Sequence, residues 1–241
     1  MKNKYIIRND EHESNIIMSL VYDEKNCIEI IKTSKDKESK KSLKNELLGY
    51  AWYQDRGGSI SPRIIKDVNP YFSISIPYSH GVVKNPVYGF SVNKKYISLI
   101  ISQYKKIWSK DINNIKAPFH GDFSIGNMII NDDKIDIIDW EHFVVDKFPV
   151  GIDLLNLLFE QLWFEKRIIG IRKRTLNDIS LILKNLFNEG YILCEDSAYL
   201  SYLVSIIDKN KYHWGKQIKK MPILKFTDDE IKFIDHHFSL V

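Results

Sequence analysis

The spacing of apolar residues changes period near residue 80, and that change constrains the fold more than any other feature of the chain. Before it, residues 5–8, 16–22 and 27–32 are β-branched or aromatic runs separated by polar turns, the pattern of half-buried strands. The Asp-Glu-Lys-Asn stretch at 23–26 reads as the hairpin between the second and third. Residues 33–42, dense in Lys, Ser and Glu, read as a solvated connection. Leu43, Leu47, Leu48, Ala51 and Trp52 then recur at helical spacing until Gly57-Gly58. Residues 64–65 and 71–76 supply more strand material, ending at the turn-rich Pro-Tyr-Ser-His-Gly run of 77–81. After the break Val92, Tyr96, Leu99, Ile100, Tyr104, Ile107 and Trp108 mark one face of a long helix. Beyond Asp153 the pattern is helical almost throughout: 154–163 as a buried helix, 176–187 as an amphipathic one ended by Gly190, 199–207 as a third. Thr227-x-x-Glu230 has the form of a capping box that opens a last helix. The expected fold class is therefore α+β. A small β-rich lobe with one main helix covers 1–79, and a larger, mostly helical lobe covers 80–241.

Composition narrows the function. With 241 residues, 44% hydrophobic and 27% charged, the chain can bury a sizeable core. A formal net charge of +4, spread without a basic tail or stripe, gives no basis for nucleic-acid or anionic-membrane binding. The longest apolar run, 154–164, is broken by Asn156, Glu160 and Gln161 and falls short of the ~20 residues a membrane span requires. The two cysteines, Cys27 and Cys194, lie far apart, and no apolar leader opens the chain, so a reducing, cytoplasmic setting is expected. Without a C-x-x-C, and with His236 and His237 the only close histidine pair, a structural zinc site is not expected.

The chemistry concentrates at 120–141. His120-Gly121-Asp122-Phe123-Ser124-Ile125-Gly126-Asn127 precedes an apolar triplet, a polar turn at 131–134, and Ile138-Asp139-Trp140-Glu141. This is the layout of a loop, a short hairpin and a second loop opened by a carboxylate, so Asp122, Asn127 and Asp139 converge at one end of the hairpin. The grouping suits phosphoryl transfer, which neutralises phosphate charge with Mg2+, holds the acceptor in line and receives its hydroxyl proton. Magnesium takes hard oxygen ligands, which Asn127 and Asp139 supply, leaving Asp122 for the acceptor. Turn-forming Asp and Asn residues are the plain structural alternative.

The two motifs together resemble the aminoglycoside phosphotransferase and choline kinase group, which has a protein-kinase-like two-lobe fold and a catalytic loop that commonly reads H-G-D-x-x-x-x-N with a later I-D-W/F-E. The resemblance implies Asp122 as catalytic base, His120 as the residue bracing its loop, Asn127 and Asp139 as magnesium ligands, and Asp153 as the aspartate that opens the following helix. It implies ATP, with GTP not excluded, and Mg2+ as cofactors.

In the first lobe Lys32, at the end of its strand, stands where kinase-like folds place the lysine that touches the α- and β-phosphates. Glu46 is its natural ion-pair partner and Glu38 a weaker candidate; the alternative is one more solvent-facing lysine. The phosphate loop falls at 12–15, where Ser14 and Asn15 offer donors, but glycines are missing and Glu11 and Glu13 place negative charge nearby. Ile76 and Tyr78 flank Pro77 in the expected hinge against the purine, Pro77 having no N–H to give. Trp163, Tyr202, Tyr212, His213 and Trp214 are aromatic candidates for the acceptor or for the core. The expected activity is transfer of the γ-phosphate to a hydroxyl of a small molecule: a sugar, an amino alcohol such as choline, or a polysaccharide precursor, an aminoglycoside being disfavoured by the basic balance. A catalytically weak pseudokinase is the alternative the glycine-poor loop favours. The sequence sets no oligomeric state.

Overall fold

The structure, a computed structural model, describes residues 2–9, 15–69, 71–132, 134–194, 196–214, 218–219 and 221–240. Five antiparallel strands make its first layer: β1 (Lys2–Asn9), β2 (Ile16–Asp23), β3 (Asn26–Ser34), β4 (Arg63–Val68) and β5 (Tyr71–Pro77), ordered β1-β2-β3-β5-β4. Glu24, at φ +54, turns the expected β2–β3 hairpin and sets Asp23 opposite Asn26. β3 is thereby central, with Lys32 beside Met18 on one side and Ile74 on the other. β4 is one of the two edges, and every one of its residues is exposed, Ile64 and Ile65 included.

Helix α1 (Lys37–Gln54) follows β3 directly, so most of the stretch expected to be a solvated connection is helix. The reason is a cap that periodicity does not reveal. The Asp36 Oδ1 accepts the Ser39 N–H at 2.8 Å, while the Asp36 N–H donates to the Ser39 hydroxyl at 3.1 Å. Leu43, Glu46, Tyr50 and Tyr53 repeat along one buried face of this helix.

β6 (Val82–Val83), β8 (Met128–Asn131) and β9 (Lys134–Ile137) form a three-stranded sheet in the order β6-β8-β9; β7 (Ala117–Phe119) pairs with β10 (Val144–Phe148). The expected hairpin is thus β8–β9, with Met128 opposite Ile137. The long helix is α2 (Gly89–Ile107), but its buried face is rotated from the expected one: Val92 is 64% exposed while Asn93 is buried. Asn93 tolerates burial because its amide donates to the Gln161 side chain at 2.9 Å and to the Asn85 carbonyl at 3.2 Å.

The remaining helices are α3 (Ile152–Ile169), α4 (Lys173–Asn188), α5 (Tyr199–Lys209), α6 (Lys211–Trp214) and α7 (Asp228–Ser239). Gly190 ends α4 at φ +76, and Thr227 and Glu230 make the expected capping box before α7. The fold class is α+β, as expected. At its centre Trp140 is fully buried, in ring contact with Tyr50, Trp52, Tyr53, Trp108, His120 and Phe143. It joins α1, the end of α2 and the loops of the central hairpin, and truncating such a residue costs about 3–5 kcal/mol. Among the described residues no helix is long and apolar enough to cross a membrane.

Candidate active site

Strand β3 delivers Lys32 and helix α1 delivers Glu46, and the two meet in a 2.7 Å ion pair. The loop after β9 brings Asp139 to the same ammonium at 2.9 Å. Lys32 is 8% exposed and Glu46 fully buried. Burial works against the lysine charge, but Asp139 and Glu46 outweigh it and hold the ammonium protonated well above its ordinary range. The same ammonium holds Asp139 below the usual carboxylate range. Glu46 lies deeper; burial pushes it up to about 7, and its Oε2 has no hydrogen-bond partner among the described residues. Glu38 is exposed on the first turn of α1, so Glu46 is the lysine's partner.

The second piece is the loop after β7. Its backbone is fixed from beneath by Asp153 in the first turn of α3, whose carboxylate accepts the His120 N–H at 2.9 Å and the Gly121 N–H at 3.2 Å. Gly121 sits at φ +92, and a Cβ there would lie 2.5 Å from that of His142. His120 is fully buried: its Nδ1 accepts the Asp122 N–H at 3.3 Å, so its Nε2 carries the proton and donates to the Ile138 carbonyl at 2.9 Å. Burial lowers this imidazole to about 4, which keeps it neutral. It therefore bridges the Asp122 loop to the strand end before Asp139.

Asp122 emerges from this support at an accessible position. The Asn127 amide donates to its carbonyl at 2.8 Å and to its Oδ2 at 3.0 Å, which orients the carboxylate. Its pKa is raised, first by the confined site and then by the negative charge of Asp139. Asp139 itself leaves β9 at φ +66, a left-handed turn that aspartate accepts. Lys32, Glu46 and Asp139 thus meet directly, Asn127 meets Asp122, and Asp122 feels the charge of Asp139.

The remaining candidates fare differently. Ser14 lies outside the described residues. Asn15, at φ +49, gives its side-chain amide to Asp36 and its carbonyl to the Lys35 N–H, so it fastens the sheet to the α1 cap. In the hinge, Ile76 pairs with Ile30 and is buried, and the Tyr78 N–H is taken by the Ile28 carbonyl at 3.0 Å. With Pro77 between them, Tyr78 has no amide to offer a purine. Trp163 is a core residue against Phe164, and Tyr212 is 89% exposed. Trp214 is buried against Phe119 and Phe148 and donates to the Gly121 carbonyl at 2.9 Å, bracing the same loop. His213 caps the His142 carbonyl, and Tyr202 is partly buried against the core.

One residue that interrupts an apolar run in the sequence lies near the site. Glu160, two turns into α3 from Asp153, is mostly buried; its Oε2 has no hydrogen-bond partner among the described residues, and burial, then Asp122, pushes it up to about 8. A charged residue inside an otherwise buried helix was the available signal.

Among the described residues no three His, Cys, Asp or Glu side chains gather as a metal cage. Magnesium does not need one: it binds through one or two carboxylates plus waters and phosphate oxygens. The oxygen-bearing pair Asn127 and Asp139 fits that donor set, and the repulsion that raises Asp122 is of the kind a cation relieves.

No protein-family model matches the chain, and no curated protein matches it. Among solved structures, a streptomycin–ATP–APH(2″)-IIa ternary complex is similar at 15% identity over 86% of this chain and 91% of that one, with a TM-score of 0.40. A likeness that weak leaves the chemistry to be read from the side chains themselves.

Proposed function

We propose that the chain is an ATP- and Mg2+-dependent phosphotransferase that moves a γ-phosphate to a hydroxyl group of a small molecule. The observation that carries the reading is the shared ammonium of Lys32, held between Glu46 and Asp139, the latter near enough for its charge to act on Asp122, which Asn127 orients. Lys32 meets phosphate oxygens as a fixed positive charge, and Glu46 keeps it from collapsing onto Asp139 alone. Asn127 and Asp139 would hold Mg2+, which when bound neutralises phosphate charge. Asp122 receives the acceptor hydroxyl proton, its carboxylate aimed by the Asn127 amide. His120, kept neutral, fixes the distance between the Asp122 loop and the Asp139 loop. Two lobes divided at 79/80, with the nucleotide between them, complete this reading.

The acceptor classes in this reading are a sugar, an amino alcohol such as choline, or a polysaccharide precursor. A panel of sugars, amino alcohols and aminoglycosides tests them by acceptor-stimulated ADP release; stimulation by none of them would remove the small-molecule hydroxyl from the proposal.

One observation favours a second reading, a nucleotide-binding module with weak catalysis: the Asn15 side chain is engaged by Asp36 instead of facing a phosphate. Slow ATP hydrolysis in wild type that disappears in Asp122→Ala supports the enzyme; equal rates support the module.

A further inference from the structure

The buried face of α1 continues past Glu46, and what it meets there is the strand that leads to Asp139. The Tyr50 hydroxyl meets the Asp139 backbone. The Tyr53 hydroxyl donates to the Ile135 carbonyl at 3.3 Å and accepts the Ile137 N–H at 3.4 Å, closing the free edge of β9. Just before them Gly49 lets the helix touch Trp140, since a Cβ there would stand 2.5 Å from the tryptophan Cβ. The residue of β9 flanked by Ile135 and Ile137 is Asp136, 5% exposed. Its carboxylate accepts the Ser59 hydroxyl, just beyond α1, and the Ser79 hydroxyl, just beyond β5, at 2.6 Å for the latter. Lys134 stands 3.8 Å away. One carboxylate thus ties together the end of α1, the end of the five-stranded sheet and the hairpin that presents Asp139.

We infer that Asp136 is a positioning residue for the phosphate-binding ammonium. By clamping Ser59 and Ser79 it sets α1 against β9, and so sets Glu46 and Asp139 at the distances that let both hold Lys32. A carboxylate is suited to this because it accepts two hydroxyl donors from separate segments at once, which an amide does with one oxygen only. Asp136 itself is buried, so its carboxylate depends on these two hydroxyls for hydrogen bonds. The inference rests on the phosphotransferase reading and adds a residue that touches neither nucleotide nor acceptor. The clamp borders a cavity of about 520 Å³ lined also by Gln103, Lys106 and Asn131, so small polar changes at Ser59 or Asp136 do not force the core apart.

The test measures Mg-ATP affinity by calorimetric titration, with thermal melting alongside, in Asp136→Asn, Ser59→Ala, Ser79→Ala, Lys32→Ala and Asp235→Asn. Asp235 is a buried carboxylate that accepts the Leu200 and Ser201 amides at the start of α5, so its variant is the control for stability alone. Asp136→Asn is expected to weaken Mg-ATP about fivefold or more, the loss of about one hydrogen bond's worth of positioning, with each serine variant weaker by a smaller factor. Asp235→Asn is expected to lower the melting temperature with Mg-ATP affinity unchanged. Unchanged affinity in Asp136→Asn and both serine variants, with Lys32→Ala impaired, overturns the positioning role and leaves the phosphotransferase reading intact. Unchanged affinity in Lys32→Ala overturns that reading first. If Asp136→Asn fails to fold, the two serine variants carry the same comparison.

Discussion

Lys32 and Asp139, 107 residues apart in the chain, are joined by a 2.9 Å ion pair, and the lysine spends its remaining reach on Glu46 at 2.7 Å. This places a charge from the central strand of the sheet against the loop that ends the hairpin. Replacing the lysine by methionine leaves Glu46 buried beside an unneutralised Asp139. Lys32→Met is expected to lose about 1–3 kcal/mol by chemical denaturation, Glu46 softening the cost by taking up a proton. Adding Glu46→Gln is expected to recover part of that stability and none of the ATP binding. Recovery of both would assign the pair a structural role alone.

Asp122 is oriented by Asn127 and held by a loop that does not depend on its carboxylate. Asp122→Ala is therefore expected to melt within a few degrees of wild type and to lose about 10²–10⁴-fold in acceptor-stimulated ADP release. Near-wild-type turnover would remove the base from its assignment.

Gly121 bears on the same loop through the backbone. At φ +92 and with His142 at its back, Gly121→Ala adds both strain and a clash, worth about 1–3 kcal/mol or more. It is expected to destabilise the protein and to cut activity as the Asp122 loop shifts. A melting temperature equal to wild type would contradict the packing described.

Stability is expected to fall as pH rises from 6.5 to 8.5. Burial raises Glu160 to about 8, and Asp153 and Glu46 to about 7, so in this window the folded chain retains protons that the unfolded chain has already released near ordinary carboxylate values. The stability of such groups is complete below the unfolded pKa and is lost through the folded one. His120 and His213, lowered to about 4, are neutral in the folded state here while unfolded imidazoles are still partly protonated near pH 6.5, so they oppose the decline modestly at the lower end of the window. Glu160→Gln is expected to flatten the decline by on the order of 1 kcal/mol in denaturant titrations at the two pH values. A slope unchanged by Glu160→Gln would place that carboxyl in water.

Much of this arrangement was legible in the residues, and what was not has identifiable causes. Strand and helix runs follow the apolar period, and the 120–141 motifs announce the residues that the loop and hairpin bring together. The start of α1 was hidden because its first turn is all polar and is specified by the Asp36–Ser39 cap. The face of α2 does not follow apolar spacing, because the buried Asn93 is polar and is satisfied by Gln161 from a distant helix. That Asp36 takes the Asn15 amide and the Ile28 carbonyl the Tyr78 N–H is decided by distant segments, which the sequence does not show. Glu160 and Asp136 escaped notice for the complementary reason. Each is an acidic side chain between apolar neighbours in sequence whose meaning depends on residues from distant segments.

The central claim is that Asn127, Asp139 and Lys32 together accept a divalent cation and a nucleotide triphosphate tail. Isothermal titration of ATP into wild type and Asp139→Ala, each with and without Mg2+, tests it most directly. The account predicts that Mg2+ tightens ATP binding in wild type and that Asp139→Ala loses this dependence. Binding of equal strength in both proteins, with or without the metal, would contradict it.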